Sequence, residues 1–185
     1  MAETRIKTGK CRASYLTVIN PKAGQDGGPP KYSVALLIPK KDTETIKLIK
    51  SAIKAAHEAD KQNKNLLKGV SNPRNPLHDG DGEKPNGGAY GPECAGCMVL
   101  NTSSTQRPGL VGRDNTRMED AQEWYSGIYV RADINFYAYN TKGNKGIACG
   151  LNHLKKLSDG EALSGGGNPE TAFDDDYEDD DEDVL

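Results

Sequence analysis

Thirteen consecutive residues, Ile128 to Asn140, alternate too regularly for anything but a β-strand with two unlike faces. Side chains along a strand point to opposite sides in turn, so Ile128, Val130, Ala132, Ile134, Phe136 and Ala138 share one face. That face is apolar throughout and has to lie on a core. The opposite face holds Tyr129, Arg131, Asp133, Asn135, Tyr137 and Tyr139, where an ordinary solvated face would carry Lys, Glu and Thr. A turn at Thr141 to Asn144 and a return strand from Lys145 to His153 complete a hairpin. Gly146 and Gly150 mark bulges or points of close approach in it. With 21 Gly and 10 Pro in 185 residues, short strands joined by irregular loops are favoured over a helical bundle.

The rest of the chain fits a mainly β protein with one helix. Lys10 to Asn20 reads as a first strand and Pro21 to Pro30 as a Gly/Pro-rich loop. In the next segment Tyr32, Val34, Leu36 and Ile38 alternate with smaller residues, predicting a strand buried mainly on one face and stopped by Pro39. A helix starts at a cap on Asp42 or Thr43. It carries a stripe of Ile46, Ile49, Ile53 and Ala56 and ends before the stretch Lys61 to Asn65. Lys68 to Pro92 is a long loop, a class that is usually functional or mobile. Cys97 to Thr105 reads as a strand that Pro108 to Val111 continues, and Arg113 to Glu123 is polar.

Function is carried by the outward face of the hairpin. Unpaired bases stack on aromatic rings, and phosphates attract arginine and lysine, so a Tyr/Arg/Asn strip at two-residue spacing suits single-stranded nucleic acid. Tyr129, Arg131, Asn135, Tyr137 and Tyr139 are the candidate contacts. Arg12, Lys31, Arg107, Arg113, Arg117, Lys142 and Lys145 are candidate phosphate ligands, although each on its own reads more readily as a solvated charge than as a contact. Trp124 stands just before the strand, either to stack on a base or to anchor the core. The bland alternative for the tyrosines is a second small core or a surface covered by a loop.

Charge is divided unevenly. Residues 173–185 hold nine acids and no base, and without those nine the net charge moves from −3 to +6. A basic body thus precedes an acidic tail, which points to a polyanionic partner or a charged interaction segment. We expect one domain over residues 1–163 and a Gly-rich flexible linker with the tail over 164–185. Asp179, Asp180, Asp181, Glu182, Asp183, Val184 and Leu185 form a candidate segment that competes with DNA for the basic groove or recruits replication or recombination proteins. The alternative is a solubilising tail without a partner.

No apolar run is long enough to span a membrane, and the N-terminus has no signal-peptide pattern. Four cysteines without an export signal then read as reduced thiols in a cytoplasm. Cys94-Ala95-Gly96-Cys97 supplies two thiols, where a structural zinc site needs four ligands, so structural thiols are expected and no cofactor. Two other function classes stand as alternatives. One is a metal-dependent nuclease using His78, Asp79, Asp81 and Glu83, against which the repeated Asp-Gly reads as a turn-forming loop. The other is a protein-interaction adaptor using the tyrosine strip. Monomer and dimer are both compatible with the sequence.

Four stretches also carry a resemblance. YSVALLIPKKDTETIKLIKSAI (32–53), NPLHDGDGE (75–83), STQRPGLV (104–111) and WYSGIYVRADINFYAYNTKGNKGIACGLNHLKKLSDGE (124–161) resemble a family of phage and prophage single-stranded DNA-binding proteins, formerly a domain of unknown function. The resemblance implies an OB-like β-barrel with added elements. It also implies a non-enzymatic role, coating single strands during phage replication or recombination. The C-x-x-C at Cys94 and Cys97 departs from that pattern.

Overall fold

The computed structural model describes residues 3–24, 28–85, 87–141 and 143–163. Lys142 and the expected linker and acidic tail, residues 164–185, lie outside the described residues. Eight strands and one long helix follow in chain order. They are β1 (Arg5–Lys7), β2 (Cys11–Lys22), β3 (Lys31–Pro39), α1 (Thr43–Gln62), β4 (Leu77–Asp79), β5 (Cys97–Ser104), β6 (Gly109–Val111), β7 (Tyr129–Thr141) and β8 (Asn144–Ser158).

Five strands close on themselves in the order β2-β3-β5-β8-β7, with β7 returning to β2 through Cys11↔Val130 and Arg12↔Tyr129. All neighbours in this ring are antiparallel except β5 and β8, which meet in parallel at Ser103↔Gly150. The β2–β7 contact spans two residue pairs and the β5–β8 contact one, so the ring is the partly open five-stranded barrel of OB type. β1 adds to β7, β6 to β8 and β4 to β5 as short flanking strands.

Ile128, just before β7, and the inward residues Val130, Ala132, Ile134 and Phe136 of β7 are buried as their spacing dictates. They join Val34, Leu36, Ile38, Leu100, Ile147, Leu151 and Leu154 in one core. α1 presents Ile49, Ala52, Ile53 and Ala56 to that core, while Ile46 is half-buried at its margin. Asp42 is the cap: its carboxylate accepts from the Thr45 N–H at 3.2 Å and from the Thr45 hydroxyl at 2.7 Å.

Two expectations need correction. β3 is buried on both faces, because Ala35 and Leu37 face outward into a second cluster made by Cys94, Val99, Tyr90, Cys97 and Leu163. The bulges in the hairpin do not fall on its glycines. β8 carries one extra residue at Asn152 and another at Leu157, where its register to β7 shifts. Gly146 and Gly150 instead mark close approach: a Cβ on Gly146 would stand 2.5 Å from the Arg74 carbonyl oxygen, and one on Gly150 2.7 Å from Asn135 Oδ1.

Asp133, the one acid in the outward strip, is neutralised by β1. The Arg5 guanidinium donates to its two oxygens at 2.9 and 2.7 Å. That hydrogen bond, opposed by burial and aided by Asn152, holds the carboxyl below its ordinary value of 3.8. A carboxyl lowered in the folded state stabilises above the unfolded value and loses that contribution as pH falls through the folded one. Urea midpoints measured from pH 7 to pH 2 should therefore fall less steeply in acid for Arg5→Gln than for the wild type. Identical acid limbs would mean the pair contributes nothing.

Candidate nucleic-acid interface

Two clefts of similar size open on the surface. One, of about 1160 Å³, runs between β1 and α1 and sets Glu3, Glu58 and Asp133 beside Arg5, Lys7 and Lys54. Such balanced charge gives a polyanion little net attraction. The other, of about 1140 Å³, lies over the outer faces of β3, β5, β8 and β7, and among the described residues no Asp or Glu lines it. It is the better site for phosphate.

The floor of this second groove is small and polar. Ser33 and Ala35 on β3 lie opposite Ser103 and Asn101 on β5. On the far side Tyr137 and Tyr139 face Ala148 and Gly146 across β7 and β8, so no large β8 side chain stands directly opposite their rings. Tyr137 stays 45% exposed. It is one of three large apolar side chains left exposed among the described residues, and Tyr15, at 72%, lines the same groove.

Cations reach the groove from two directions. Lys31 begins β3 and is exposed. Arg74 arrives on the long loop, which docks on β8: its N–H donates to the Lys145 carbonyl at 3.1 Å and its carbonyl accepts from the Ile147 N–H at 2.9 Å. The absent side chain of Gly146 is what lets this backbone settle there. His78 also lines the groove, and partial burial lowers its pKa from the ordinary 6.5, so it is neutral at pH 7 and supplies hydrogen bonding rather than charge.

Residues 4–185 match the family profile described as "Enterobacter phage Enc34, ssDNA-binding protein". The chain belongs to that family. A curated relative, "Putative protein p50" of Acyrthosiphon pisum secondary endosymbiont phage 1, is 34% identical over 170 residues, 88% of each chain. Among solved structures, the single-stranded DNA-binding protein from bacteriophage Enc34 in complex with ssDNA superposes with a TM-score of 0.74 at 29% identity, covering 87% of this chain and 90% of that one. Its C-terminal truncation gives 0.71 at 28%, covering 86% and 88%. The gp2.5 single-stranded DNA-binding protein of bacteriophage T7 gives 0.62 at 16% with both chains fully covered, a likeness of fold.

Within this Enc34-type chain the expected site residues do not all come together. Tyr137, Tyr139 and Lys31 line the groove. Asn135 is half-buried beside Gly150 at its edge. Tyr129 stands eight residues before Tyr137, roughly 26 Å along the strand, flanked by the Lys10 ammonium at 4.6 Å and the Arg12 guanidinium at 5.8 Å from its ring. Arg12 is itself a clamp, donating to the carbonyls of Gly127 at 3.2 Å and Glu161 at 2.7 Å. Arg131 is exposed but donates to the Thr8 carbonyl at 2.8 Å. Arg107, Arg113 and Arg117 are exposed outside the groove lining, Arg117 near Glu119 at 3.7 Å, and Lys145 is half-buried. Trp124 is corrected to a core anchor: it is 5% exposed and its indole N–H donates to the Met118 carbonyl at 2.7 Å.

The loop acids considered for metal chemistry are engaged elsewhere. Lys40 lies 2.7 Å from both Asp79 and Asp81, and Asp81 also accepts from the Gly96 N–H at 3.0 Å. The Lys40 hydrogen bonds hold both carboxyls below their usual range. Among the described residues no three His, Cys, Asp or Glu side chains group to hold a metal ion. Cys94 and Cys97 pack in the cluster under β3, and burial raises both thiols. Sequence reasoning missed Tyr15, Arg74 and the Asn/Ser floor, which sit on a distorted strand, a long loop and two different strands.

Proposed function

We propose that this protein binds and coats single-stranded DNA during phage DNA replication or recombination, without catalysis and largely without regard to sequence. The observation that carries the reading is the groove itself, walled by tyrosines, floored by small side chains and lined, among the described residues, by no carboxylate. Bases stack on Tyr137 and Tyr139, while Lys31 and Arg74 receive phosphates. The family relationship supports the same role, since the Enc34 protein was solved with ssDNA. No helix among the described residues is long and apolar enough to cross a membrane, and we place the protein in the cytoplasm of the bacterial host.

We read residues 1–163 as the binding domain and 164–185 as linker and tail. The nine acids beyond residue 173 compete with DNA for the groove or recruit partner proteins. A fluorescent oligo-dT titrated across a salt series tests both parts. Affinity should fall on a log–log plot with a slope of roughly −0.7 per phosphate neutralised. Tyrosine emission should be quenched, with buried Trp124 little affected. Deleting residues 173–185 should leave affinity unchanged or tighten it, most clearly at low salt. Salt-independent binding would sink the groove assignment, and weaker binding by the truncated chain would sink the competitor role.

A further inference from the structure

Tyr15 is the least economical residue in the barrel. Its backbone sits at φ +48°, in the left-handed region where, among the described residues, only two other non-glycine residues fall, Asn65 and Asn115. Asparagine tolerates that region, whereas a bulky side chain there is a genuine outlier. The ring is also 72% exposed. Strain and solvent-exposed aromatic surface thus fall on one residue, and glycine or asparagine would avoid both.

The strand is built to impose this conformation. β2 pairs with β3 through Ser14↔Ala35 and then Thr17↔Ser33, so three steps on β2 match two on β3 and one residue is extra. Such a bulge re-aims a side chain. The inward positions change parity across it, from Cys11 and Ala13 to Leu16 and Val18. The N–H of Leu16 donates instead to the Ser126 hydroxyl, 2.9 Å away on the segment before β7. The distortion is therefore held from outside, and its product is a tyrosine aimed into the groove.

Strain kept in place by its surroundings marks functional positions. In the sheet order β2-β3-β5-β8-β7, Tyr15 stands at one rim of the groove and Tyr137 and Tyr139 at the other. Three strands, β3, β5 and β8, lie between the two rims along this face of the sheet, so the rings form separate positions. We infer that Tyr15 is a second stacking platform, held by the bulge to receive an unpaired base at the β2 rim while Tyr137 receives another at the β7 rim. This rests on the groove being the single-strand site.

The test separates binding from folding. Tyr15→Gly relieves the left-handed strain and removes a ring that is mostly in solvent, so its thermal midpoint should hold or rise by up to about 4 °C. Its affinity for oligo-dT should nevertheless fall about 5- to 150-fold. Tyr15→Phe, which keeps the ring, should bind within about twofold of wild type. If Tyr15→Gly binds like wild type while Tyr137→Ala binds weakly, the inference fails and the groove reading stands. If neither substitution changes affinity, the groove reading fails and takes the inference with it. A fall in affinity matched by a fall in thermal midpoint would reassign Tyr15 to the fold.

Discussion

Tyr137→Ala is expected to weaken binding of a short oligo-dT by about 5- to 150-fold, the equivalent of the roughly 1–3 kcal/mol that stacking one base on a ring contributes. The ring is 45% exposed and lies over Ala148 on the neighbouring strand, so its removal should shift the thermal midpoint little. Adding Tyr139→Ala should weaken binding further, because Tyr139 lines the same groove opposite Gly146. Tyr129→Ala provides the contrast. Tyr129 shares the outward face but is half-buried between Lys10 and Arg12, so short oligonucleotides held in the groove should bind its alanine variant as they bind wild type. Equal losses from Tyr129→Ala and Tyr137→Ala would show that DNA runs along β7 rather than across the groove.

That contrast also marks how far the sequence could be read. The two faces of β7 were legible because a period of two is local, and Ile128 to Phe136 turned inward as the pattern required. The outward face was legible as unusual, but the pattern could not say where it would be divided. β1 does the dividing, and a three-residue strand of sequence Arg-Ile-Lys has no readable period. The second buried face of β3 was hidden for a related reason: its cover comes from residues 90–99 and Leu163, which reach Ala35 and Leu37 only through the fold. Arg74 enters the groove because Gly146, far along the chain, leaves room for its backbone. Tyr15 did leave a trace in the sequence. The inward parity slips between Ala13 and Leu16, a signal that a bulge lies between them.

Gly127→Ala should be the most damaging single-atom change in the body. Gly127 sits at φ +121°, which L side chains rarely adopt, and a Cβ there would collide with the Glu161 carbonyl oxygen. The segment it meets is a strap that leaves β8 and recrosses the barrel. Arg12 ties the strap to Gly127, the Tyr125 hydroxyl donates to the Gly160 carbonyl at 3.1 Å, and the Leu163 N–H donates to the Ser126 carbonyl at 2.9 Å. Backbone strain together with loss of these ties should cost about 3 kcal/mol or more, a fall of roughly 10 °C in thermal midpoint. An unchanged midpoint would mean the strap is not held as described. The strap also carries a functional consequence. It ends with Leu163 packed in the cluster that contains Ala35, and Ala35 lines the groove as well. Leu163, the last described residue, thus lies near the groove, and the nine acids follow it in the sequence. On the proposal that the tail competes with DNA, lifting the strap should weaken that competition. At a temperature where Gly127→Ala remains folded, deleting residues 173–185 should tighten low-salt binding less in this variant than in the wild-type background. An equal gain in both backgrounds would show that the tail acts without regard to where it is rooted.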